Sequence, residues 1–108
     1  MSYKILTIAP FEKQFKYLTK KYPSIKSDLS ELVSELITDP QKGTALGNDC
    51  YKIRMAISSK GRGKSGGARV ITYFALNNGE IYLLSIYDKS EQSDINSKEL
   101  LKLLDLVK

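Results

Sequence analysis

The chain has 108 residues, and 17 Lys and Arg against 12 Asp and Glu give it a net charge of +5. This length predicts one domain spanning 1–108, with 42% hydrophobic residues available for its core. The absence of His and the presence of one Cys, Cys50, argue against a metal site and exclude an internal disulfide. The sequence has neither a run of about 20 apolar residues nor a signal peptide. We therefore expect a cytoplasmic protein that uses no metal, cofactor or membrane.

The first part of the chain predicts a strand and two helices. Tyr3–Ile8 is short and β-prone, which indicates a strand. Pro10 opens a helix at a position that tolerates proline, and Pro23 ends it. A second helix is predicted from about Ser24 to Thr38, and the tight connection indicates an antiparallel helical hairpin. The apolar stripes of the two helices are Phe11, Phe15, Leu18 and Tyr22, then Ile25, Leu29, Leu32, Leu36 and Ile37.

After Cys50, apolar residues recur at every second position, which is typical of β-strands. The predicted strands are Tyr51–Ile57, Ala68–Leu76 and Glu80–Tyr87. Between the first two lies a loop rich in Gly, Ser and Lys, residues 58–67. In the last strand, alternation predicts two faces, Tyr82, Leu84 and Ile86 on one and Leu83, Ser85 and Tyr87 on the other.

Local signals also predict a hairpin and a last helix. Asn78-Gly79 indicates a two-residue hairpin turn with positive φ at both positions. The last helix begins within residues 93–97, where Asn96 and Glu99 have the spacing of an N-cap and its N3 partner. The predicted order is β-α-α-β-β-β-α, an α+β fold in which helices cover one face of a small antiparallel sheet. The other face, or one end of the sheet, is then left to carry charge.

The positive charge is concentrated in one segment. From Cys50 to Gly79 there is no acidic residue, and six of the 17 cationic residues lie there. All three arginines, Arg54, Arg62 and Arg69, belong to this segment. Because the planar guanidinium matches phosphate oxygens, this placement indicates a phosphate-rich partner.

Two further patterns resemble ligand-binding motifs but lack the features that such motifs need. Residues 61–66 match GxGxxG and resemble the end of a P-loop, but a strand follows where a nucleotide site needs a helix. Asp88, Glu91 and Asp94 are spaced by three, and we interpret them as favouring the start of the last helix or as solvated. Neither pattern predicts a nucleotide or metal site.

The predicted strand alternation gathers cations and tyrosines into one patch. Lys52 and Arg54 share a face of one strand, Arg69 and Tyr73 share a face of the next, and Tyr87 ends the third. The loop between the first two strands adds Lys60, Arg62 and Lys64. Because a tyrosine ring can stack on an unpaired base, the patch indicates single-stranded RNA as a partner.

Cleavage of RNA fits a patch without His or metal, because the ribose 2′-hydroxyl supplies the nucleophile. The protein then has to align that oxygen with the leaving 5′-oxygen and stabilise the phosphorane, a role open to Arg69 and Arg54. Neighbouring cations are expected to lower the pKa of Lys and Tyr side chains. Lys52, Lys64 and Tyr87 are therefore all candidates for moving protons.

The chain resembles the RelE/ParE toxin superfamily over essentially its whole length, including the helical hairpin. Three segments carry the resemblance. The matching segments are Cys50–Arg54, Gly63–Tyr73 and Ile81–Glu91. The Gly-Lys-Ser-Gly-Gly loop and the Tyr-Asp-Lys-Ser ending are most similar to the HigB-like branch of RelE-type toxins. The resemblance implies the toxin of a bacterial type II toxin–antitoxin module, which enters the ribosomal A site and cuts mRNA there.

The resemblance also implies roles for individual residues. Lys52 and Arg54 match a basic pair on the second strand, and Arg69 matches the arginine that holds the scissile phosphate. Lys89 falls where RelE has an arginine after its last strand. Ile95 stands near the position of the stacking tyrosine of RelE, so Tyr87 or Tyr73 is expected to take that part. The implied partners are the ribosome, its mRNA and a cognate antitoxin that covers the basic patch.

A second function remains open at this point. A ParE-like protein that poisons DNA gyrase and cleaves nothing uses the same scaffold, so the fold cannot decide between them. The basic strand face favours RNA over gyrase as the target.

Overall fold

The computed structural model describes residues 3–108 and contains three α-helices and five strands within that range. In chain order they are β1 (Lys4–Thr7), α1 (Ala9–Lys21), α2 (Ile25–Thr38), β2 (Thr44–Gly47), β3 (Cys50–Met55), β4 (Ala68–Ala75), β5 (Glu80–Asp88) and α3 (Ser97–Leu104). Short 3₁₀ turns occupy Ser58–Lys60 and Leu76–Asn78. The predicted α+β class is confirmed. Strand β2 was not predicted, because Ala45 and Gly47 give its four residues a weak β propensity.

The sheet has the strand order β1-β5-β4-β3-β2. Strands β3 to β5 pair antiparallel, as predicted, and β2 pairs antiparallel to β3, but β1 pairs parallel to β5 with Lys4 opposite Glu80. The prediction of a wholly antiparallel sheet is therefore wrong. Parallel neighbours need a long crossover between them, and here the crossover includes the helical hairpin and three strands.

Helices cover both faces of the sheet. The helices α1 and α2 pack on one face, where Phe11, Leu18 and Leu36 are buried against strand residues. On the opposite face, Leu100 and Leu104 of α3 form a smaller core. Their partners in this core are Cys50, Ile71 and Leu84. The prediction that helices cover only one face is wrong, because strand residues on the second face are also apolar and need burial.

The start of α3 agrees with the local sequence signal. Asn96 is the N-cap, and its side chain accepts a hydrogen bond of 2.8 Å from the backbone N–H of Glu99. Because the helix begins at Ser97, none of the three spaced acids lies within it. Within residues 3–108, no helix combines the length and the apolar character needed to cross a membrane.

An irregular step in the β4–β5 pairing changes the faces of β5. Ile71 pairs with Ser85 but Thr72 pairs with Leu83, so β5 has one extra residue at this point. Such a bulge reverses the alternation beyond it. Ile86 consequently joins the core beneath α1 and α2, and its predicted grouping with Leu84 is wrong.

The hairpin between β4 and β5 was predicted correctly, but its turn type was not. The strands end at Ala75 and resume at Glu80, so four residues connect them. Only Gly79 has a positive φ, of 65°, and the residues before it form a 3₁₀ turn. The left-handed conformation at Gly79 ends that turn without the steric cost that a Cβ brings.

Candidate nucleic-acid interface

The register of three neighbouring strands places Arg54, Arg69 and Tyr87 side by side. Arg54 of β3 pairs with Arg69 of β4, and Arg69 pairs in turn with Tyr87 of β5. Directly opposed residues in antiparallel strands have Cβ atoms about 5 Å apart, so the three side chains start from adjacent points. We call them the Arg54–Arg69–Tyr87 row.

Five cationic side chains near this row are accessible to solvent. They are Lys52, Arg54, Arg62, Lys64 and Lys89, which we call the basic surface. Lys52 precedes Arg54 by two residues on β3. Arg54 and Lys64 line a common cavity of about 120 Å³, whose lining also includes the carboxylates Asp28, Glu31 and Glu35. Lys89 follows β5 directly, where its backbone N–H donates to the carbonyl of Gly67 at 3.0 Å. Five of the seven cations predicted for the site therefore belong to this surface, and Lys60 and Arg69 do not.

The loop at residues 58–67, which we call the Gly-rich loop, is fastened at its start by a buried aspartate. Asp28 of α2 is 7% exposed and accepts a hydrogen bond of 2.9 Å from the backbone N–H of Ser58. The hydroxyl of Ser58 donates to the same carboxylate. Sequence reasoning missed Asp28, although it lies on the apolar stripe of α2 between Ile25 and Leu32. A carboxylate at a buried helical position was the available signal.

A second buried aspartate holds Lys60 of this loop. Asp88 is 1% exposed, and Lys60 Nζ donates to it at 2.9 Å, together with Tyr22 and Ser90. Burial by itself raises the pKa of Asp88, but these hydrogen bonds outweigh it and hold the pKa below its ordinary value. The side chain of Lys60 is only 11% exposed, so it lies outside the basic surface.

Arg69 is buried beneath the Gly-rich loop. It is 5% exposed, and its guanidinium donates to the carbonyls of Lys64 at 3.0 Å, Ala68 at 3.1 Å and Ser65 at 3.4 Å. No carboxylate lies within 4.0 Å of it among residues 3–108. The guanidinium thus adds positive charge under the loop without being open to a ligand in this conformation.

Tyr87 is also buried, and its hydroxyl has no hydrogen-bond partner among residues 3–108. Burial raises its pKa to about 12, the nearby Asp94 adds to this, and Arg69 opposes it only in part. The prediction that neighbouring cations lower this pKa is wrong, because loss of solvation outweighs a single nearby guanidinium. At 5% exposure, the ring offers no open face to a base.

Tyr73 lies apart from the row. It lies four positions after Arg69 on β4, which is about 13 Å along a strand. Its ring stacks on Tyr82 with centroids 6.1 Å apart, and the ammonium of Lys108 lies 5.4 Å from the centroid. It belongs to the core beneath α3 together with Cys50, so it lies outside the Arg54–Arg69–Tyr87 row, although Lys52 is its diagonal neighbour across the β3–β4 pair.

The segment between β5 and α3 brings one carboxylate to the basic surface. Asp94 Oδ1 lies 3.1 Å from Lys52 Nζ. The backbone N–H of Ile95 and this ammonium keep the pKa of Asp94 below its ordinary value. Glu91 lies elsewhere and pairs with Lys21 at 3.2 Å. The interpretation of these acids as helix-starting or solvated is therefore wrong for Asp88, which is 1% exposed and binds Lys60. Glu91 and Asp94 are exposed to solvent as predicted, and each also lies beside one lysine.

A family model described as the RelE toxin of the RelE / RelB toxin-antitoxin system matches residues 11–108. Among solved structures, the chain is similar to the E. coli toxin RelE, as a double arginine-to-alanine mutant in the free state. That match has 16% identity, covers 100% of both chains and has a TM-score of 0.69. The chain is also similar to part of the intact E. coli RelBE toxin–antitoxin complex, with 18% identity and a TM-score of 0.63. This second match covers 80% of this chain and 95% of the other.

At such identities, the structural likeness shows a shared fold: a small α+β scaffold with a mixed sheet and flanking helices. The family model, in contrast, covers all but the first ten residues. The chain therefore belongs to the RelE toxin family of toxin–antitoxin systems. This confirms the resemblance at the level of RelE-type toxins, and the finer similarity to the HigB-like branch stays a prediction.

Proposed function

We propose that this toxin is a ribosome-dependent mRNA endoribonuclease that acts in the cytoplasm as a single RelE-like domain. The observation that carries the proposal is the basic surface, whose five accessible cations lie beside the Arg54–Arg69–Tyr87 row. A single-stranded phosphodiester backbone laid across this end of the sheet meets several cations at once. Membership of the RelE toxin family supports the same activity.

The proposed chemistry uses the 2′-hydroxyl of the substrate as the nucleophile. The protein holds the RNA so that this oxygen lines up with the leaving 5′-oxygen, which replaces a diffusional encounter by an oriented one. Arg54 is exposed at the centre of the basic surface and binds the non-bridging phosphate oxygens. Its planar fork donates two parallel hydrogen bonds, which strengthen as negative charge develops on the phosphorane.

Lysines are proposed to move the protons. Lys52 and Lys64 flank Arg54, one on β3 and the other on the Gly-rich loop. One of them accepts the proton of the 2′-hydroxyl, and the other, or Lys89, donates to the leaving oxygen. Tyr87 is unsuited to this role because its hydroxyl is buried and its pKa is raised to about 12.

The proposed partners are the ribosome with mRNA in its A site and a cognate antitoxin. The similarity to a chain of the E. coli toxin–antitoxin complex RelBE supports an antitoxin for this chain as well. An antitoxin with acidic residues that covers the basic surface blocks access of RNA to Arg54 and its neighbours. Charge complementarity of this kind also speeds the association of the two proteins.

Purified toxin and ribosomes programmed with a defined mRNA test the proposal. We expect cuts at one position within A-site codons, and a loss on the order of 10²-fold in Arg54→Ala. The matched control is Lys4→Ala, an exposed lysine of β1 that pairs with Glu80 at the opposite end of β5 from Tyr87, which should keep full activity. Double-strand DNA breaks in cells without codon-phased mRNA ends would contradict the proposal and favour a ParE-like gyrase poison.

A further inference from the structure

Part of one edge of β5 is covered by a side chain of α1 and not by a strand. We propose that Gln14 is a positioning residue for the basic surface, because it holds the end of β5 in its register against β4. That register places Tyr87 beside Arg69 and carries Lys89 to the end of the sheet. The effect on RNA cleavage rests on the proposed function. The effect on β5 does not, and it is measurable on the toxin alone.

Strand β1 covers only the first part of β5. Its pairing ends with Thr7 opposite Leu83, and within residues 3–108 no strand pairs with this edge of β5 beyond that point. The backbone N–H of Ile86, in the uncovered part, donates to Oε1 of Gln14 at 3.1 Å. Nε2 of the same side chain donates to the hydroxyl of Ser85 at 3.2 Å. A buried backbone N–H needs an acceptor, so the glutamine takes the place of a neighbouring strand.

The contacts of Gln14 fall at the bulge of β5. Leu84 is the residue that has no partner in the β4–β5 register. The two residues after it, Ser85 and Ile86, are the ones that Gln14 binds. A bulge interrupts the regular ladder, and the backbone groups there need partners from elsewhere in the fold. Gln14 supplies one donor and one acceptor at this point, which stabilises the bulged register.

The bulge decides which side chain of β5 lies beside Arg69. In the observed register that side chain is Tyr87. If the pairing of the first half of β5 continued without the extra residue, Ile86 would lie there. A shift of one residue sends each side chain to the opposite face of the sheet, so Ile86 would leave the core beneath α1 and α2. Packing of Ile86 thus requires the bulge, and the bulge in turn leaves an N–H that Gln14 satisfies.

The same register fixes the position of Lys89. Asp88, one residue before it, binds Lys60 near the start of the Gly-rich loop at 2.9 Å. The backbone N–H of Lys89 donates to the carbonyl of Gly67, at the end of that loop, at 3.0 Å. A displacement by one residue moves the strand by about 3.3 Å, which breaks both contacts. The exposed ammonium of Lys89 then no longer has a defined place relative to Arg54.

Two substitutions of Gln14 separate its hydrogen bonds from its volume. Gln14→Met has a similar length and shape but lacks both the N–H donor and the carbonyl acceptor, so Ile86 loses its partner. Gln14→Glu keeps an acceptor for this N–H, and the Ser85 hydroxyl can donate to its other oxygen. A role in packing alone predicts that methionine is tolerated better than glutamate. The proposal predicts the reverse.

Amide hydrogen exchange and cross-strand NOEs of the toxin alone test the claim about β5. In Gln14→Met, the amide of Ile86 should exchange about tenfold faster than in the wild type, and NOEs between Arg69 and Tyr87 should weaken. Gln14→Glu should stay within about twofold of the wild-type exchange rate. The matched control is Gln41→Met, which removes an exposed side-chain hydrogen bond outside β5 and should leave the Ile86 amide unchanged. Unchanged exchange in Gln14→Met, or equal acceleration in Gln14→Glu, would overturn the proposal.

The ribosome cleavage assay tests the consequence for the basic surface. Gln14→Met should lower kcat/KM on the order of tenfold, and Gln14→Glu should restore most of it. In a Lys89→Ala background the further loss from Gln14→Met should be much smaller, because the side chain that it positions is gone. An undiminished loss in that background would overturn the action through Lys89. If the wild-type protein cleaves no mRNA, the proposed function fails, while the exchange result still decides whether Gln14 holds β5.

Discussion

Lys52 Nζ and Asp94 Oδ1 lie 3.1 Å apart, so one cation of the basic surface already forms an ion pair with an acidic side chain. Asp94 belongs to the segment that leads into α3, and its side chain is 59% exposed. An exposed ion pair of this kind is weak and is screened by salt. Under the proposed function, an RNA phosphate would therefore compete with Asp94 for Lys52 and would have to overcome the repulsion of its carboxylate.

Asp94→Asn should strengthen RNA binding. The substitution removes the competing charge while keeping an oxygen that can accept the hydrogen bond of Ile95. We expect up to about fivefold higher affinity for a short single-stranded RNA at low salt, and a smaller gain at high salt. Fluorescence anisotropy measures the change, with Asp105→Asn, an exposed acid after α3, as the control. An equal gain in Asp105→Asn would assign the effect to net charge alone.

The salt dependence of RNA binding should separate accessible cations from buried ones. Each phosphate contact on single-stranded RNA contributes about 0.7 to the slope of log K against log salt. Arg54→Ala and Lys64→Ala should each reduce the slope by roughly that amount. Lys60→Ala should leave it unchanged, because that ammonium is bound to Asp88. A reduced slope in Lys60→Ala would mean that Lys60 reaches the RNA after all.

Tyr87→Phe should fold at least as stably as the wild type and keep its cleavage activity. The hydroxyl is buried and has no hydrogen-bond partner in the described part of the chain, and removing such a group relieves a cost of about 1 kcal/mol. Thermal unfolding measures the stability, and the pH profile of cleavage measures any role in proton transfer. More than tenfold lower kcat with an unchanged melting temperature would identify Tyr87 as a proton-transfer group.

Asp88→Asn should destabilise the fold by about 3 kcal/mol, because Lys60 then loses its buried charge partner. The pKa of Asp88 is held below its ordinary value, so its contribution is complete at neutral pH. That contribution is lost only as the pH falls below about 4, through the native pKa. Urea unfolding at pH 7 and pH 3 checks this. The difference in the free energy of unfolding between the wild type and the variant should be smaller at pH 3 than at pH 7. A difference that does not depend on pH would contradict the role of the ionised carboxylate.

The stability of the toxin should fall at alkaline pH partly through Cys50. Burial raises the pKa of this thiol to about 11 from an ordinary value of 9.0. A raised native pKa means that the contribution of the thiol is complete below pH 9 and disappears as the pH rises through 11. Cys50→Ala should therefore show a shallower loss of melting temperature over that interval. If the melting temperature fell equally steeply with pH in the two proteins, other groups would be the cause of the lower stability at alkaline pH.

Local patterns in the sequence were sufficient for the helices, for β3 to β5 and for the Asn96 cap. The stripe beginning with Phe11 and the alternation beginning at Tyr51 each lie within a few consecutive residues. Propensity and periodicity act over that same range, so the prediction and the structure agree there. The gathering of Lys52, Arg54 and Lys64 follows from this alternation and a short loop.

Contacts between distant segments set the rest of the site. The burial of Arg69, the attachment of Lys60 to Asp88 and the ion pair between Lys52 and Asp94 join residues from separate elements. The extra residue in β5 likewise depends on the register against β4, and it moves Ile86 to the other face.

The net charge of +5 is located first by the sequence and then by the fold. Composition and order along the chain are enough to place the excess charge in the segment from Cys50 to Gly79 and to indicate a phosphate-rich partner. The fold divides those cations into ones that solvent reaches, such as Arg54 and Lys64, and ones that hold the structure together, such as Arg69 and Lys60. The exposure of a charged side chain cannot be read from its position in the sequence, because it depends on which carbonyls and carboxylates from distant segments pack around that side chain.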